Sequence, residues 1–234
     1  MKDFDVLTNM FNPTSLKQEA LFLENNLTGN TVIYEDTGSI RSIFAPHWNS
    51  TVIKDFIYNN KVIDYVKEVL GEDLYVHQCH INYKRAQTGG EYAWHSDYTY
   101  WHNLDGMHRP DAISVLFLLD DMTHDNGPLT VLPKSQNYPV PKIDDTEWTI
   151  KHSAEESQGI ISHNDVSRQH ITPVQLIGQS GDALTMHANT LHYSSANTST
   201  QDRNVLFVCY NRLDNKITKN TRPDHIVLRD FSPV

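Results

Sequence analysis

The chain has 234 residues, enough to bury a sizeable core in one domain. Its 19 Lys plus Arg against 29 Asp plus Glu leave a formal net charge of -10 without any basic run, so neither nucleic acid nor an anionic membrane surface is an expected partner. The longest internal apolar run, Val115 to Leu119, is far short of the roughly 20 residues of a membrane span, the amino terminus has no apolar signal core, and Cys79 and Cys209 lie in apolar segments, which together suit a cytoplasmic protein.

In chain order, residues 13–27 carry a helical pattern, with Ser15 and Gln18 spaced as a capping box. Residues 31–34 and 39–44 are short β-branched runs around Glu-Asp-Thr-Gly, which predicts a hairpin with Gly38 at positive φ. Residues 50–58 and 61–70 return to helical period, with Val62, Ile63, Val66, Val69 and Leu70 on one stripe and Gly71 just past the end. Residues 74–84 then read as a long strand. Strict alternation places Gln78, His80, Asn82 and Lys84 on one face and Tyr75, His77, Cys79, Ile81 and Tyr83 on the other, so the polar face meets either solvent or a polar cavity.

Residues 112–119 form an apolar run between charged turns, the mark of a buried strand, and Asp125-Asn126-Gly127-Pro128 turns sharply into 129–132. Residues 134–170 are polar and aperiodic, a surface excursion that suits a lid over an active site. Strand patterns resume at 172–177, 183–186 and 204–210. Helices first and strands afterwards predict a single domain over 1–234, an all-β sandwich or barrel with helices packed outside. Dinucleotide, P-loop and nucleophile-elbow motifs are absent.

The chemistry concentrates in residues 91–107, where His95 and Asp97 stand two positions apart among aromatic residues. In an extended chain such a pair leaves the same face and can converge on one ion. With a second His, an imidazole and a carboxylate make the facial triad of non-haem Fe(II) sites, which leaves coordination positions open for reactants. His187 and His192 are both candidates for the third ligand, and spacing does not separate them.

Gly181-Asp182 before a short apolar strand, Leu191-His192 followed by Ser194 and Asn197, and Arg203 eleven residues after His192 resemble the closing motif of Fe(II)/2-oxoglutarate oxygenases in the phytanoyl-CoA dioxygenase superfamily. Tyr75-Val76-His77-Gln78, Trp94-His95-x-Asp97, Trp101, Asp105-Gly106-Met107, Asn126-Gly127-Pro128-Leu129 and Arg222-Pro223-Asp224 extend the likeness to ectoine hydroxylases and bacterial trans-4 proline hydroxylases. The chain departs from both at Cys79-His80 and in its short amino-terminal part, and the departures bear on substrate identity.

The resemblance implies a double-stranded β-helix, a cupin-like jelly roll with flanking helices, and His95, Asp97 and His192 as ligands of Fe(II). It implies 2-oxoglutarate and O2 as co-substrates, decarboxylation to succinate, and hydroxylation of an unactivated C–H bond, since the halogenases of the superfamily lack the carboxylate that Asp97 supplies. Arg203 would take the distal carboxylate of 2-oxoglutarate through its planar fork, with Asn82, Lys84, Ser114 and Ser194 as further co-substrate contacts. Gln78, Trp101 and Arg222 would contact the substrate, a free amino acid or small cyclic imino acid for which L-proline is the first reading and ectoine the second. For Tyr98 and Tyr100 packing alone is an open alternative to a role in the site. A monomer or homodimer is expected. The competing classes are a non-catalytic cupin-like binding protein, which would not need open iron positions and a keto-acid site together, and a zinc hydrolase, for which no carboxylate is placed as general base.

Overall fold

The structure, a computed structural model, describes residues 3–140 and 171–234. Helices α1 (Thr14–Asn26), α2 (Thr51–Tyr58) and α3 (Val62–Leu70) appear where the sequence places them, and α4 (Asp97–Asn103) is additional. The strands are β1 (Phe4–Leu7), β2 (Val32–Tyr34), β3 (Ile40–Phe44), β4 (Leu74–Lys84), β5 (Tyr92–His95), β6 (Ala112–Leu118), β7 (Leu129–Val131), β8 (Val174–Leu176), β9 (Ala183–His187), β10 (His192–Ser194) and β11 (Arg203–Arg212). They form two antiparallel sheets, ordered β1-β9-β6-β11-β4-β3-β2 and β5-β10-β7-β8, the double-stranded β-helix expected of the sequence.

Alternation along the strands sorts the core into two layers. Val115 and Phe117 of β6 and Leu206 and Val208 of β11 face outward, where α1, α2 and α3 cover them with Leu23, Ile57 and Val66. Leu116 and Leu118 of β6 and Val205 and Phe207 of β11 face inward to meet Leu129 and Val131 of the small sheet. Burying an aliphatic or aromatic side chain stabilises by about 1.5–3 kcal/mol, so both faces of the large sheet need cover, and the two layers supply it. The inward layer also turns Ser114, Cys209 and Arg203 towards the space between the sheets.

Several local details differ from expectation. The capping box of Ser15 and Gln18 does not form, because Pro13 occupies the N-cap without any side-chain hydrogen bond. Ser50 does cap α2, accepting from the Ile53 amide at 3.2 Å. The hairpin turn has Gly38 at φ 83°, as predicted. On β4 the strict alternation fails. The register with β11 slips between Cys209 and Tyr210, which pair with Gln78 and Val76 and leave His77 as an extra residue. Val76 therefore faces the helices with Cys79, while His77 sits edge-on to Trp101 with ring centroids 4.9 Å apart. The excursion at 134–170 begins with a single 3-10 turn over Ser135–Asn137, and the lid expected of it lies, from 141 on, outside the described residues. Among the described residues no helix is long and apolar enough to cross a membrane.

Candidate metal centre and cavity

His95 ends β5, Ser96 caps the next helix, and Asp97 is the first residue of α4. Ser96 is extended at φ -115° and ψ 140°, so the i, i+2 convergence survives although a helix begins within the pair. The Ser96 hydroxyl accepts from the Thr99 amide and lies 3.1 Å from Asn189 Oδ1, tying this corner to the segment before β10. In the small sheet His192 of β10 is the register partner of His95. Tertiary pairing thus selects His192 over His187, which ends β9 and takes the Asn189 amide on its Nδ1 at 3.1 Å.

The Nε2 atoms of His95 and His192 each lie 3.8 Å from Asp97 Oδ1, and the three ligand atoms fall within 4.8 Å of one another, close enough to share one ion. Nδ1 of His95 is 2.6 Å from the Ala93 carbonyl and Nδ1 of His192 is 2.9 Å from the Thr190 carbonyl. A carbonyl only accepts, so each Nδ1 carries the proton and each Nε2 offers a lone pair to the centre. Burial and the neighbouring His192 hold His95 below the ordinary imidazole range, against the opposing pull of Asp97. The donor set of two neutral imidazoles and one carboxylate suits Fe(II) with positions left open.

Ser114 is not on the cavity wall. Its hydroxyl donates to Asp97 Oδ2 at 2.8 Å, which leaves Oδ1 for the ion. Lys84 also stands behind the wall, 2% exposed, where its ammonium donates to the carbonyls of Ser194 and Ser195 and to Ser194 Oγ. These two residues brace the site from behind, Ser114 through the Asp97 carboxylate and Lys84 through the Ser194–Ser195 backbone.

Arg203 does reach the cavity. Its Nη2 donates to the Gly127 carbonyl at 2.6 Å and to Ser194 Oγ at 3.2 Å, while Nε is buried without a partner among the described residues. Burial pulls Arg203 down to about 10, which leaves it charged at neutral pH, and burial with the charge of Arg203 pulls Lys84 well below its ordinary value. A buried guanidinium with an unsatisfied N–H asks for an anion at this end of the cavity. Gly127 makes the cradle possible. Its φ is 75°, and a Cβ there would come within 2.4 Å of Lys84 Cδ and 2.5 Å of the Ser195 carbonyl.

The opposite end is aromatic with a few polar groups. Trp101 of α4, 1% exposed, forms a wall with Tyr100, and Gln78 and Arg222 face it. Arg222 is already engaged, with Nε donating to Asp105 Oδ1 at 2.8 Å and Nη2 to Oδ2 of the same fully buried carboxylate. His80 stacks on Phe207 at 4.4 Å and is held by desolvation down to about 4, so it enters the cavity as a neutral ring. Sequence reasoning missed Asp105 as the partner of Arg222, left Tyr100 between packing and a site role, and missed Tyr92, which lines the cavity three positions before His95. Odd spacing on a regular strand would turn Tyr92 away from His95. A register shift of β5 against β10, which pairs Tyr92 with Ser194 and His95 with His192, brings both inward.

The model of the phytanoyl-CoA dioxygenase (PhyH) family matches residues 9–205. The chain belongs to the phytanoyl-CoA dioxygenase family. It is 30% identical to the L-proline trans-4-hydroxylase of Streptomyces griseoviridis over 94% of this chain and 85% of that protein. It is equally 30% identical to the ectoine dioxygenase of Nocardia farcinica, over 99% and 83%. Among solved structures, EctD from S. alaskensis with 2-oxoglutarate and 5-hydroxyectoine superposes with a TM-score of 0.84 at 27% identity, covering 97% of this chain and 80% of that one. The same protein with bound Fe gives 0.82 at 29% identity, over 99% and 81%. Family membership makes the chain a 2-oxoglutarate-dependent dioxygenase of the hydroxylase type, and the jelly roll is the fold the motifs implied.

Proposed function

We propose that this dioxygenase hydroxylates a small free amino acid or cyclic imino acid, with L-proline the first reading. The observation that carries the proposal is one cavity with a two-His-one-carboxylate centre, a buried Arg203 whose Nε lacks a partner among the described residues at one end, and an aromatic wall with Gln78 and Arg222 at the other. Fe(II) held by His95, Asp97 and His192, with 2-oxoglutarate and O2, supplies oxidative decarboxylation to succinate coupled to oxygen insertion into an unactivated C–H bond.

The chain's own residues do the rest. Arg203 offers its fork to the distal carboxylate of the keto acid, and the Ser194 hydroxyl beside it completes the pocket. Ser114 keeps Asp97 turned to the ion. Trp101, Tyr100 and Phe207 exclude water from the reacting carbon, and Gln78 and Arg222 orient a compact substrate by its polar groups. With Arg222 already neutralised by Asp105, the substrate end carries little net charge, which favours a zwitterion over an anion. Ectoine is the second reading, favoured by the likeness to EctD solved with 5-hydroxyectoine.

The test begins with metal-free protein under nitrogen. Fe(II) and 2-oxoglutarate are added to wild type and His192→Ala, with a weak visible charge-transfer band expected in wild type alone. O2 with L-proline, ectoine and a panel of free amino acids follows, and mass spectrometry reads the gain of one oxygen. No band with either protein would sink the oxygenase reading, and hydroxylated ectoine without hydroxyproline would reverse the order of substrates.

A further inference from the structure

Asn82 lies on the cavity wall one strand step from Lys84, near the end where Ser194 and Arg203 gather. Its side-chain carbonyl is already engaged. Ser42 Oγ donates to Asn82 Oδ1 at 2.8 Å, and the Tyr92 hydroxyl stands 3.1 Å from Ser42 Oγ and 3.4 Å from the same Oδ1. An amide carries its oxygen and its NH2 on opposite sides of Cγ, so a carbonyl turned to Ser42 and Tyr92 turns two N–H donors into the cavity. Among the described residues no protein acceptor is recorded for those donors.

The hydroxyl pair is itself held from outside the cavity. Arg41 Cζ sits 3.8 Å over the Tyr92 ring, while its Nη1 donates to both oxygens of Glu35 at 2.8 and 2.9 Å and its Nη2 donates to the Glu91 carbonyl at 2.6 Å. Glu35 in turn accepts from the Gly90 amide at 3.1 Å. A Cβ at Gly90 would stand 3.0 Å from Arg41 and 3.1 Å from Glu35, so the brace closes most comfortably over a glycine. Arg41 and Ser42 are neighbours on β3. The β2–β3 hairpin therefore grips Tyr92 by its ring and its hydroxyl, and through Ser42 it sets which way Asn82 faces.

We propose that Ser42 and Tyr92 are positioning residues that lock Asn82 as a hydrogen-bond donor to the dicarboxylate bound beside Arg203. The inference rests on the co-substrate reading above and adds to it a direction. Asn82 must donate, so Asn82→Asp, which keeps the shape and replaces two donors by an acceptor, harms co-substrate binding more than Asn82→Ala does.

The experiment titrates 2-oxoglutarate into the full chain loaded with Mn(II), a redox-inert stand-in, and reads affinity by calorimetry. Ser42→Ala and Tyr92→Phe are each expected to weaken 2-oxoglutarate by about 3- to 10-fold, Asn82→Ala by about 10-fold and Asn82→Asp by about 100-fold. Ser42→Thr, which keeps the hydroxyl, is expected to bind within about twofold of wild type. Mn(II) affinity without 2-oxoglutarate, read by the paramagnetic resonance of the free ion, is expected to stay within about twofold throughout, which a general loss of structure would not allow. Wild type that fails to bind 2-oxoglutarate overturns the co-substrate reading and this inference with it. Wild-type binding that Ser42→Ala and Tyr92→Phe leave unchanged, or Asn82→Asp binding more tightly than Asn82→Ala, overturns this inference alone.

Discussion

Asp105 carries a full charge into a place with no solvent exposure, and Arg222, 7% exposed, is its partner through two parallel hydrogen bonds. The same region ties the turn after α4 to the C-terminal segment, because the amides of Thr218 and Lys219 donate to the Asp105 carbonyl at 3.0 and 2.9 Å. Asp105→Ala strands a buried guanidinium without counter-charge, which is expected to cost about 3–5 kcal/mol. At about 2–4 °C per kcal/mol for a chain of this size, the melting temperature should fall by roughly 6–20 °C. The double variant Asp105→Leu/Arg222→Met removes both charges at similar volume and should recover most of that loss, because the desolvation cost disappears with the pair. Thermal and urea unfolding of wild type, both single variants and the double variant would give the coupling energy. Asp105→Ala within about 1 kcal/mol of wild type, or a double variant as unstable as the two singles summed, would refute the reasoning. The double variant should retain 2-oxoglutarate binding and lose turnover, since Arg222 lines the substrate end only.

Three other outcomes are expected. Ser114→Ala removes the donor that turns Asp97 to the ion, so Fe(II) or Mn(II) affinity should drop by about 10-fold with little change in melting temperature; unchanged metal affinity would count against the assignment. Gly127→Ala forces a Cβ against Lys84 and the Ser195 carbonyl at positive φ, and should cost about 2 kcal/mol or more in urea unfolding while weakening 2-oxoglutarate. His77 is fully buried with Nε2 unpartnered among the described residues, and desolvation, reinforced by the charges of Arg222 and Arg229, holds it down to about 3. An unfolded imidazole titrates near 6.5, so this contribution to stability is complete above about pH 6.5 and is lost as pH falls towards about 3, because the unfolded chain takes the proton first. Between about pH 7 and pH 5 the loss should be about 2 kcal/mol, and His77→Leu should remove it; equal pH slopes for the two proteins would show that His77 is not its source.

The sequence by itself determined the fold class, the long strand β4, the buried strand β6 and the His95-Asp97 pair, because each rests on local periodicity or on two residues close in the chain. It also offered Gly38 for positive φ in the β2–β3 turn, since glycine adopts that region without steric cost. Tertiary structure decided the rest. Spacing alone does not separate His192 from His187; the closing-motif resemblance named His192, and pairing of β10 with β5 gives the physical reason by setting it opposite His95. Ser114 and Lys84 sit on the inner face as alternation predicts, yet what each inner side chain meets depends on strands and loops far away in sequence, and those contacts turn both into braces behind the wall. Tyr92 and His77 escaped detection for one shared reason. A register slip of one residue moves a side chain to the other face of a sheet, and such a slip is a property of two strands together, invisible in either strand alone.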